Sequence, residues 1–494
     1  MCSLEKSIEK SNEKLVHELK NLIKCFSIND RISKCFILDL KLLSLNHDLE
    51  SIKDYCESCG VYPGYSKFLA TISFLAEEKN VTNYNGIPKN VLKHFNCILD
   101  RMIINGSENT LYAMQLAQRD WQRKYIFKTY LFHLFLEDKA IASLFNQFTS
   151  NSIDDLVSLS LLPRFLAEPI ILKCIRNKGL SFYDCFNRIV KYIDAYYDYI
   201  SINIETFREI QEEKLKVANY NLFHARMIIK DYPVIKLNDG SHFFSSFFYL
   251  QDALFSRTIR LLANSGQNSR IIGDAFEYIV FNAFTAMYSH CDLNATHKSI
   301  TLGPNTKKSG ELCDILIQHN NQFLLIDCKA KELIEEIFIV DSTDEKLLIE
   351  KYQQRMDRIK DITDGKFSKY IPKHYNKDNI YSIIALFDDG TYSKEQLFAR
   401  AFPSLTHEDK DYYLKHIHTI SFDDLLEAIV SNVDLISVIT NSINSKSYNN
   451  HLSINIRIEE KSDYNPIFDN WYNNACIKME DFCNRILFND TCFE

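Results

Sequence analysis

The sequence predicts a two-part fold: an all-helical N-terminal domain, then an α/β domain with a mixed central sheet flanked by helices. Two observations support this prediction. From Asp30 to about Leu262 the apolar residues keep helical spacing. From Ile271 to Phe387, short apolar runs bounded by polar turns alternate with helical stretches, which is typical of α/β domains.

The N-terminal domain, residues 1–262, is predicted to begin with an amphipathic helix from Met1 to about Phe26. Further predicted helical stretches are Tyr65 to Glu78, Ser107 to Lys139, Ile153 to Ser160, Phe182 to Ile200 and Ile204 to Ile229. The domain contains no motif that indicates catalysis. Small polar residues at 263–270 predict a linker.

The α/β domain is assigned to residues 271–430, and its first six elements carry the argument. They are a helix from Ile271 to Phe281, a strand from Ala295 to Leu302, strands Glu311 to Ile317 and Phe323 to Lys329 joined as a hairpin, a helix from Asp344 to Ile362, and a strand from Tyr381 to Phe387. A short strand, His418 to Ile420, and a helix capped by Ser421 or Asp423 should extend the sheet. Residues 431–494 form a C-terminal extension with two predicted helices.

The second hairpin strand ends in charged residues. Four apolar residues lead into Asp327 and Lys329, whose side chains project from the same face of an extended strand. Such charges at the end of a buried strand are costly unless something offsets them, and a bound cation together with a phosphate would do so. The hairpin should place Asp314 beside Asp327, and Glu277 lies at the margin of the apolar face of the first helix.

The acid-x-Lys spacing alone is weak, because it recurs in charged helical stretches where exposed side chains are the simpler interpretation. Two recurrences, Asp39/Lys41 and Glu137/Lys139, also follow apolar residues but lie in helical patterns. Only Asp327/Lys329 combines an apolar lead-in with an upstream strand aspartate and a preceding helix glutamate. The alternative is a chance pair of charges at a strand end.

This order of elements, with Glu277, Asp314, Asp327 and Lys329 at these places, resembles the PD-(D/E)XK nuclease superfamily, which has the restriction-endonuclease-like fold. The resemblance covers about a quarter of the chain, and Cys313 stands where the motif has proline. It implies a Mg²⁺-dependent deoxyribonuclease, with Mn²⁺ as the alternative ion. By analogy it also suggests an effector of a bacterial anti-phage or restriction system.

The resemblance also implies roles for individual residues. Glu277, Asp314, Asp327 and the backbone carbonyl of Cys328 would bind the metal ion, and Lys329 would assist the attacking water. The following helix would contribute Gln353, slightly preferred over its neighbour Gln354, as a further catalytic contact. Oxygen ligands without clustered His or Cys favour Mg²⁺ or Mn²⁺ over zinc.

Two other functions stay open at this point. The α/β domain could be a catalytically inactive nucleic-acid-binding module. Alternatively, the helical domain could be a scaffold that docks a protein partner, and this partner would control the nuclease domain. The substrate is expected to be DNA, and RNA is not excluded.

The net charge of −8 argues against a protein that coats nucleic acid through bulk electrostatics. Basic residues nevertheless gather around the acidic motif and would suit a site-limited phosphate binder, the alternative being ordinary solvated faces. They are Lys298, Lys307, Lys308, Lys329, Lys331, Lys351, Arg355, Arg358, Lys360, Lys366, Lys369, Lys373 and Lys377. Without a long apolar run or a signal-peptide pattern, we expect a cytoplasmic protein and no membrane partner.

Overall fold

The computed structural model divides the chain into two compact units. The first consists of Met1–Gly266 and Trp471–Glu494, and the second is Gln267–Asn470. The residues described are 2–44, 54–55, 57–58, 60, 65–81, 86–104, 124–146, 158, 177–179, 188, 200–245, 249, 253, 259, 268–288, 294–297, 311–319, 321–332, 343–388, 392–430, 433–449, 452, 456 and 466–488. No helix among them has the length and apolar character needed to cross a bilayer.

The first unit is mainly helical. Over the described residues its helices are α1 (Cys2–Ile23), α2 (Ile28–Ser44), α3 (Ser66–Leu75), α4 (Lys89–Ile104), α5 (Lys124–Glu137), α6 (Lys139–Phe145), α7 (Ile204–Val217) and α8 (Ile228–Asp231). Arg31 is fully buried in this unit, and its Nη1 donates to the carbonyls of Ser73 and Ala76, at 2.7 and 3.1 Å, where α3 ends. These bonds satisfy carbonyls that a helix end leaves without intrahelical partners.

The first unit also contains a small sheet, so the prediction of an all-helical domain is wrong in this respect. The strands are β1 (Ser201–Asn203), β2 (Val234–Lys236) and β3 (His242–Phe244), with β1 parallel to β2 and β2 antiparallel to β3. Three residues are too few for a two-residue period to stand out beside long helices. The predicted helix from Ile204 to Ile229 ends instead at Val217, and Asn219 and Tyr220 then take positive φ angles. Predicted helices Ile153 to Ser160 and Phe182 to Ile200 lie almost wholly outside the described residues.

The second unit is an α/β domain, as predicted. Its elements are α9 (Asn268–Met287), β4 (Asn294–His297), β5 (Ile315–His319), β6 (Gln322–Glu332), α10 (Thr343–Thr363), β7 (Ile380–Asp388), α11 (Lys394–Ala401), α12 (His407–His416), β8 (Ile417–Ser421), α13 (Phe422–Val430) and α14 (Leu435–Asn444). The predicted hairpin, helices and strands are confirmed within four residues at their described ends, except that α9 ends at Met287 rather than Phe281. The strand predicted from Ala295 to Leu302 is described only over 294–297, and its remainder lies outside the described residues. Ser421 is the cap of α13, since its Oγ accepts from the backbone N–H of Asp424 at 3.1 Å.

The central sheet of the second unit has the strand order β4-β5-β6-β7-β8. Strands β4, β5 and β6 pair antiparallel, and β6, β7 and β8 pair parallel. Asn321 has φ 62° in the tight turn between β5 and β6, a conformation that asparagine tolerates better than most residues. The parallel connection from β6 to β7 passes through α10, as such connections require a crossover.

Helices cover both faces of this sheet. On one face, Phe323 and Leu325 of β6 share a buried cluster with Leu348, Tyr352 and Met356 of α10. On the other face, Phe276 of α9 meets Phe387 of β7 and Phe422 of α13, with ring centroids 4.6 and 6.0 Å apart. Because side chains alternate along a strand, Asp327 and Lys329 belong to the α10 face.

The predicted C-terminal extension, 431–494, is divided between the two units. Helix α14 belongs to the second unit, whereas residues from Trp471 onward belong to the first. Helix α15 (Pro466–Cys483) contains Trp471 and is followed by a π-helical turn, Asn484–Phe488.

Candidate active site

The β5–β6 hairpin places two aspartates side by side. The N–H of Asp314 donates to the carbonyl of Ile326 at 3.0 Å, which extends the ladder by one residue beyond β5 and sets Asp314 opposite Asp327. The N–H of Cys328 donates to Oδ2 of Asp314 at 2.6 Å. Both carboxyl groups are buried, with Asp314 8% and Asp327 3% exposed. The two predicted strand residues therefore form one buried acidic pair.

The surroundings of Asp314 favour its protonated form. Burial and then the charge of Asp327 raise the pKa of Asp314 to about 7, and Glu277 adds to this effect. The N–H of Cys328 and the ammonium of Lys329 act in the opposite direction. A site that disfavours the second negative charge is a site where an added cation is stabilising.

Glu277 approaches this pair from α9. Burial raises the pKa of Glu277, Asp274 and Glu311 raise it further, and Lys329 lowers it. Its carboxyl group is half-buried and lies within electrostatic range of both Asp327 and Lys329. Glu277 therefore interacts electrostatically with this end of the sheet, but α9 covers the face opposite to the one that carries Asp327 and Lys329. Among the described residues, Glu277 does not join the two aspartates in a group of three that could hold a metal ion.

Lys329 is half-buried and projects from the same face of β6 as Asp327. Its charge lowers the pKa values of both Asp314 and Glu277, so its ammonium lies within electrostatic range of these two carboxyl groups. The pairing of β6 with β7 shifts register between Lys329 and Glu332. Such irregularities bend a strand locally and re-aim its side chains, and they occur often beside active sites.

Two cations of α10 face Asp327. Nη2 of Arg355 lies 3.5 Å from Oδ1 of Asp327, and Nζ of Lys351 lies 3.7 Å from Oδ2. Arg355 is only 1% exposed, and its Nη1 donates to the carbonyl of Leu312 at 2.9 Å. Burial lowers the pKa of Lys351, and the charge of Asp327 opposes that shift. These cations offset the buried charge of Asp327.

The ion pairs of Asp327 are longer than hydrogen bonds and leave one of its carboxylate oxygens without a hydrogen bond. Its Oδ2 has no hydrogen-bond partner among the described residues, and neither do Nε and Nη2 of Arg355. Buried polar atoms in native proteins are rarely left in this condition. A buried carboxylate oxygen that accepts no hydrogen bond, beside a second carboxylate, is a suitable ligand for a hard cation.

The structure does not bring Gln353 to the carboxylates. Gln353 lies on the exposed face of α10, where its Nε2 donates to Oδ1 of Asp357 at 2.9 Å. Gln354 is half-buried and its Oε1 accepts from Nζ of Lys351 at 2.7 Å, so the less preferred glutamine lies nearer the site. The reason is helical geometry: residues four apart, such as Lys351 and Arg355, share a face, and Gln353 does not.

From sequence, Lys351 and Arg355 are predicted only to add positive charge around the motif, and neither is among the predicted site residues. A signal was present, because both fall on the apolar face of α10 with Leu348, Tyr352 and Met356. Charged residues on a face that is otherwise buried need charged or hydrogen-bonding partners. Nothing in the sequence indicated that Asp327 would be this partner.

The available oxygen ligands, the carboxylates of Asp314 and Asp327 and the carbonyl of Cys328, fit a cation that keeps several water ligands. Mg²⁺ is commonly held by one or two carboxylates together with waters and substrate phosphates. The carbonyl of Cys328 points to the same side of β6 as its N–H, which meets Asp314. No group of three His, Cys, Asp or Glu side chains in the described part of the chain is arranged to hold a metal ion. The thiol of Cys328 is unsuited as a ligand, since burial raises its pKa well above the usual value.

Comparisons of the whole chain with protein-family models, with curated proteins and with solved structures found no match. The resemblance to PD-(D/E)XK nucleases therefore depends on the residues and the element order given above.

Proposed function

We propose that the second unit is a restriction-endonuclease-like domain that hydrolyses phosphodiester bonds of DNA with Mg²⁺ or Mn²⁺. The observation that carries this proposal is the buried pair of Asp314 and Asp327, in which Oδ2 of Asp327 has no hydrogen-bond partner among the described residues. A divalent cation would relieve the repulsion between the carboxylates and supply the missing partner.

The ligands would be Asp314, Asp327 and the carbonyl of Cys328, and Glu277 would reach the ion through a water molecule. When bound, such an ion neutralises phosphate charge and supplies an activated water. Two side-chain carboxylates agree with the absence of a three-side-chain group among the described residues.

The remaining charged groups would act on substrate and water. Lys329 would donate a hydrogen bond to the attacking water and stabilise the charge that develops on the phosphoryl oxygens. Lys351 would add positive charge to the same pocket, and its place on α10 keeps its ammonium next to Asp327. Arg355 does not reach solvent and would act by holding Asp327 in position.

The second candidate is a nucleic-acid-binding module without turnover. The observation in its favour is that the described residues contain no group of three side chains able to hold a metal ion. The retained set of Glu277, Asp314, Asp327 and Lys329 argues against it, because a site that no longer needs catalysis has no reason to keep buried charges.

The test is incubation of the purified protein with supercoiled plasmid and, separately, with RNA, in Mg²⁺, in Mn²⁺ or in a chelator. We expect plasmid cleavage with either metal ion, and no cleavage in the chelator or with Asp327→Asn, which keeps the side-chain volume. Asp357→Asn, on the exposed face of α10, is the matched control and should cleave as the wild type does. Intact plasmid and RNA under every metal condition would contradict the proposal. Cleavage of RNA but not of plasmid would show that the substrate is RNA and not DNA.

A place in a bacterial anti-phage or restriction system, and a protein partner for the first unit, stay predictions. Isolation of a stable complex from native lysate would support the partner. A monomeric protein under the same conditions would contradict it.

A further inference from the structure

The chain between α10 and β7 carries a concentration of positive charge. Residues 366–377, which we name the lysine loop, contain four lysines and no acidic residue, although the whole protein has a net charge of −8. The lysines are Lys366, Lys369, Lys373 and Lys377, and all four are exposed. A local excess of one sign in a protein of the opposite sign marks a surface that attracts a specific charged ligand.

The lysine loop has a fixed support. Phe367 and Ile371 are buried in the core of the second unit. The ring of Tyr375 packs edge-on against Phe323 of β6, with centroids 4.7 Å apart. The hydroxyl of Tyr412 donates to the carbonyl of Lys377 at 2.8 Å. A ligand would therefore bind a preformed backbone, and little ordering would oppose binding.

Three of the lysines are available to an anion. Lys366 is paired with Asp361, which also pairs with Arg358. In contrast, Lys369, Lys373 and Lys377 form no ion pair with any residue that the structure describes. Their three ammonium groups are therefore not held in ion pairs by the described residues, and the exposed acids Asp364 and Asp378 flank the loop at its two ends.

Aromatic rings lie among these lysines. The ammonium of Lys369 is 5.6 Å from the ring centroid of Tyr370, and that of Lys377 is 4.7 Å from the ring centroid of Tyr412. His374 is exposed, and one side of its ring stacks on Tyr375 at 5.2 Å. Lysines for phosphates beside exposed rings for bases are the combination by which proteins bind single-stranded nucleic acid.

The lysine loop lies at the end of the sheet opposite to the acidic pair. Phe323, at the start of β6, pairs with Ile380, which directly follows the loop region at the start of β7. Asp327 lies four residues further along β6, which corresponds to about 13 Å of strand. The loop is therefore a separate surface on the same unit, distinct from the candidate active site.

We propose that the lysine loop binds single-stranded nucleic acid, with phosphates at Lys369, Lys373 and Lys377 and a base stacked on His374. The inference rests on the proposed function for its choice of ligand, and it adds the place where the substrate strand is held. An acidic peptide would satisfy the lysines, but it would leave the exposed ring without a partner.

The first test measures binding by fluorescence anisotropy with a labelled single strand of about 20 nucleotides, longer than a typical site of one binding fold. A chelator is present throughout, so that no cleavage occurs. We expect Lys369→Ala/Lys373→Ala/Lys377→Ala to weaken binding at least about tenfold at low salt. The slope of log affinity against log salt should fall by about 2, since each phosphate contact on a single strand contributes about 0.7.

The matched control removes the same charge elsewhere. Lys89→Ala/Lys139→Ala/Lys216→Ala replaces three exposed lysines of the first unit and should keep the wild-type slope. If both triple variants show the same slope, or if the wild type does not bind the strand, the inference is wrong.

The second test separates nucleic acid from an acidic polymer. His374→Ala should weaken binding about fivefold or more without changing the salt slope, because stacking is not an ionic contact. Polyglutamate of equal charge should compete poorly with the labelled strand. Equal competition by polyglutamate, or unchanged affinity of His374→Ala, would overturn the assignment to nucleic acid.

Asp327→Asn distinguishes this inference from the proposed function. If this variant and the wild type bind the strand equally, the triple lysine variant of the loop binds it more weakly, and none of them cleaves with any metal ion, the nuclease proposal fails and the inference about the lysine loop stands. The opposite outcome is that the wild type cleaves, while the triple lysine variant of the loop has the same slope of log affinity against log salt as the control triple variant. The nuclease proposal then stands and the inference about the loop fails.

Discussion

At the scale of single residues, the two aspartates of the acidic pair have different partners. Asp314 accepts a backbone N–H and meets Asp327 and Glu277, whereas Asp327 faces the cations Lys351 and Arg355. No basic side chain is bonded to Asp314 in the described structure, so the negative charge of Asp327 disfavours ionisation of Asp314. Burial first, and then the charge of Asp327, raises the pKa of Asp314 to about 7.

This shift predicts how stability depends on pH in the metal-free protein. A carboxyl group whose pKa is higher in the folded than in the unfolded chain binds more protons when folded, so the free energy of unfolding falls as pH rises from about 4 to about 7. The fall attributable to Asp314 should be on the order of 4 kcal/mol at most. Urea unfolding in a chelator at pH 5 and at pH 8 measures it.

Asp314→Asn is the control for this prediction, because the amide keeps the shape and cannot ionise. We expect its free energy of unfolding to change less between the two pH values than that of the wild type. An equal change in both proteins would show that another group causes the pH dependence.

A second residue-scale prediction concerns Lys329, which shares a face of β6 with Asp327 and acts electrostatically on Asp314 and Glu277. Lys329→Ala should keep DNA binding and metal binding but lower the cleavage rate by about 10²–10⁴, the usual contribution of one proton-transfer or charge-stabilising group. Single-turnover plasmid cleavage measures the rate. Lys346→Ala, an exposed lysine on α10, should cleave normally. A normal rate for Lys329→Ala would remove this residue from the mechanism.

At the scale of elements, arginines fix α10 to the segment that carries Asp314. Arg355 donates to the carbonyl of Leu312, and Nε of Arg358 donates to the carbonyl of Glu311 at 2.6 Å. The two arginines differ in burial, since Arg355 is 1% exposed and Arg358 is half-buried. The deeper contact should therefore contribute more to stability.

The corresponding prediction compares the two arginines. Arg355→Ala leaves Asp327 buried without this counter-charge and should lower the free energy of unfolding by about 3 kcal/mol. Arg358→Ala should cost about 1 kcal/mol, because solvent can replace its contacts. Urea denaturation of both variants provides the comparison. Similar decreases in the free energy of unfolding of the two variants would mean that burial of the Arg355–Asp327 pair does not determine its contribution to stability.

At the scale of the whole molecule, the part of helix α15 from Trp471 onward belongs to the first unit. Trp471 packs near Tyr130, with ring centroids 4.8 Å apart, and Met479 and Phe482 are buried further along the helix. Phe482→Ala should destabilise the first unit by about 3–5 kcal/mol. Hydrogen exchange should rise in peptides from α5 and α15. A rise confined to the second unit would contradict this assignment.

Much of the second unit follows from sequence because its signals are local. The β5–β6 hairpin, α10 and β7 have strong periodic patterns, and the register of the hairpin was enough to set Asp314 beside Asp327. The sheet of the first unit was missed because each strand contributes only three residues. The preference for Gln353 over Gln354 did not follow the apolar spacing of Leu348, Tyr352 and Met356, which indicates the buried face of α10. Gln353 lies outside that face.

The sequence by itself determined the order of helices and strands and the pairing of an acid with a lysine on one strand face, because these depend on short-range periodicity. Only the tertiary structure decided that Lys351 and Arg355 face Asp327 and that the lysine loop lies at the opposite end of the sheet. These arrangements depend on how α10 packs across β6. That packing is set by contacts between residues far apart in the chain, which no local pattern records.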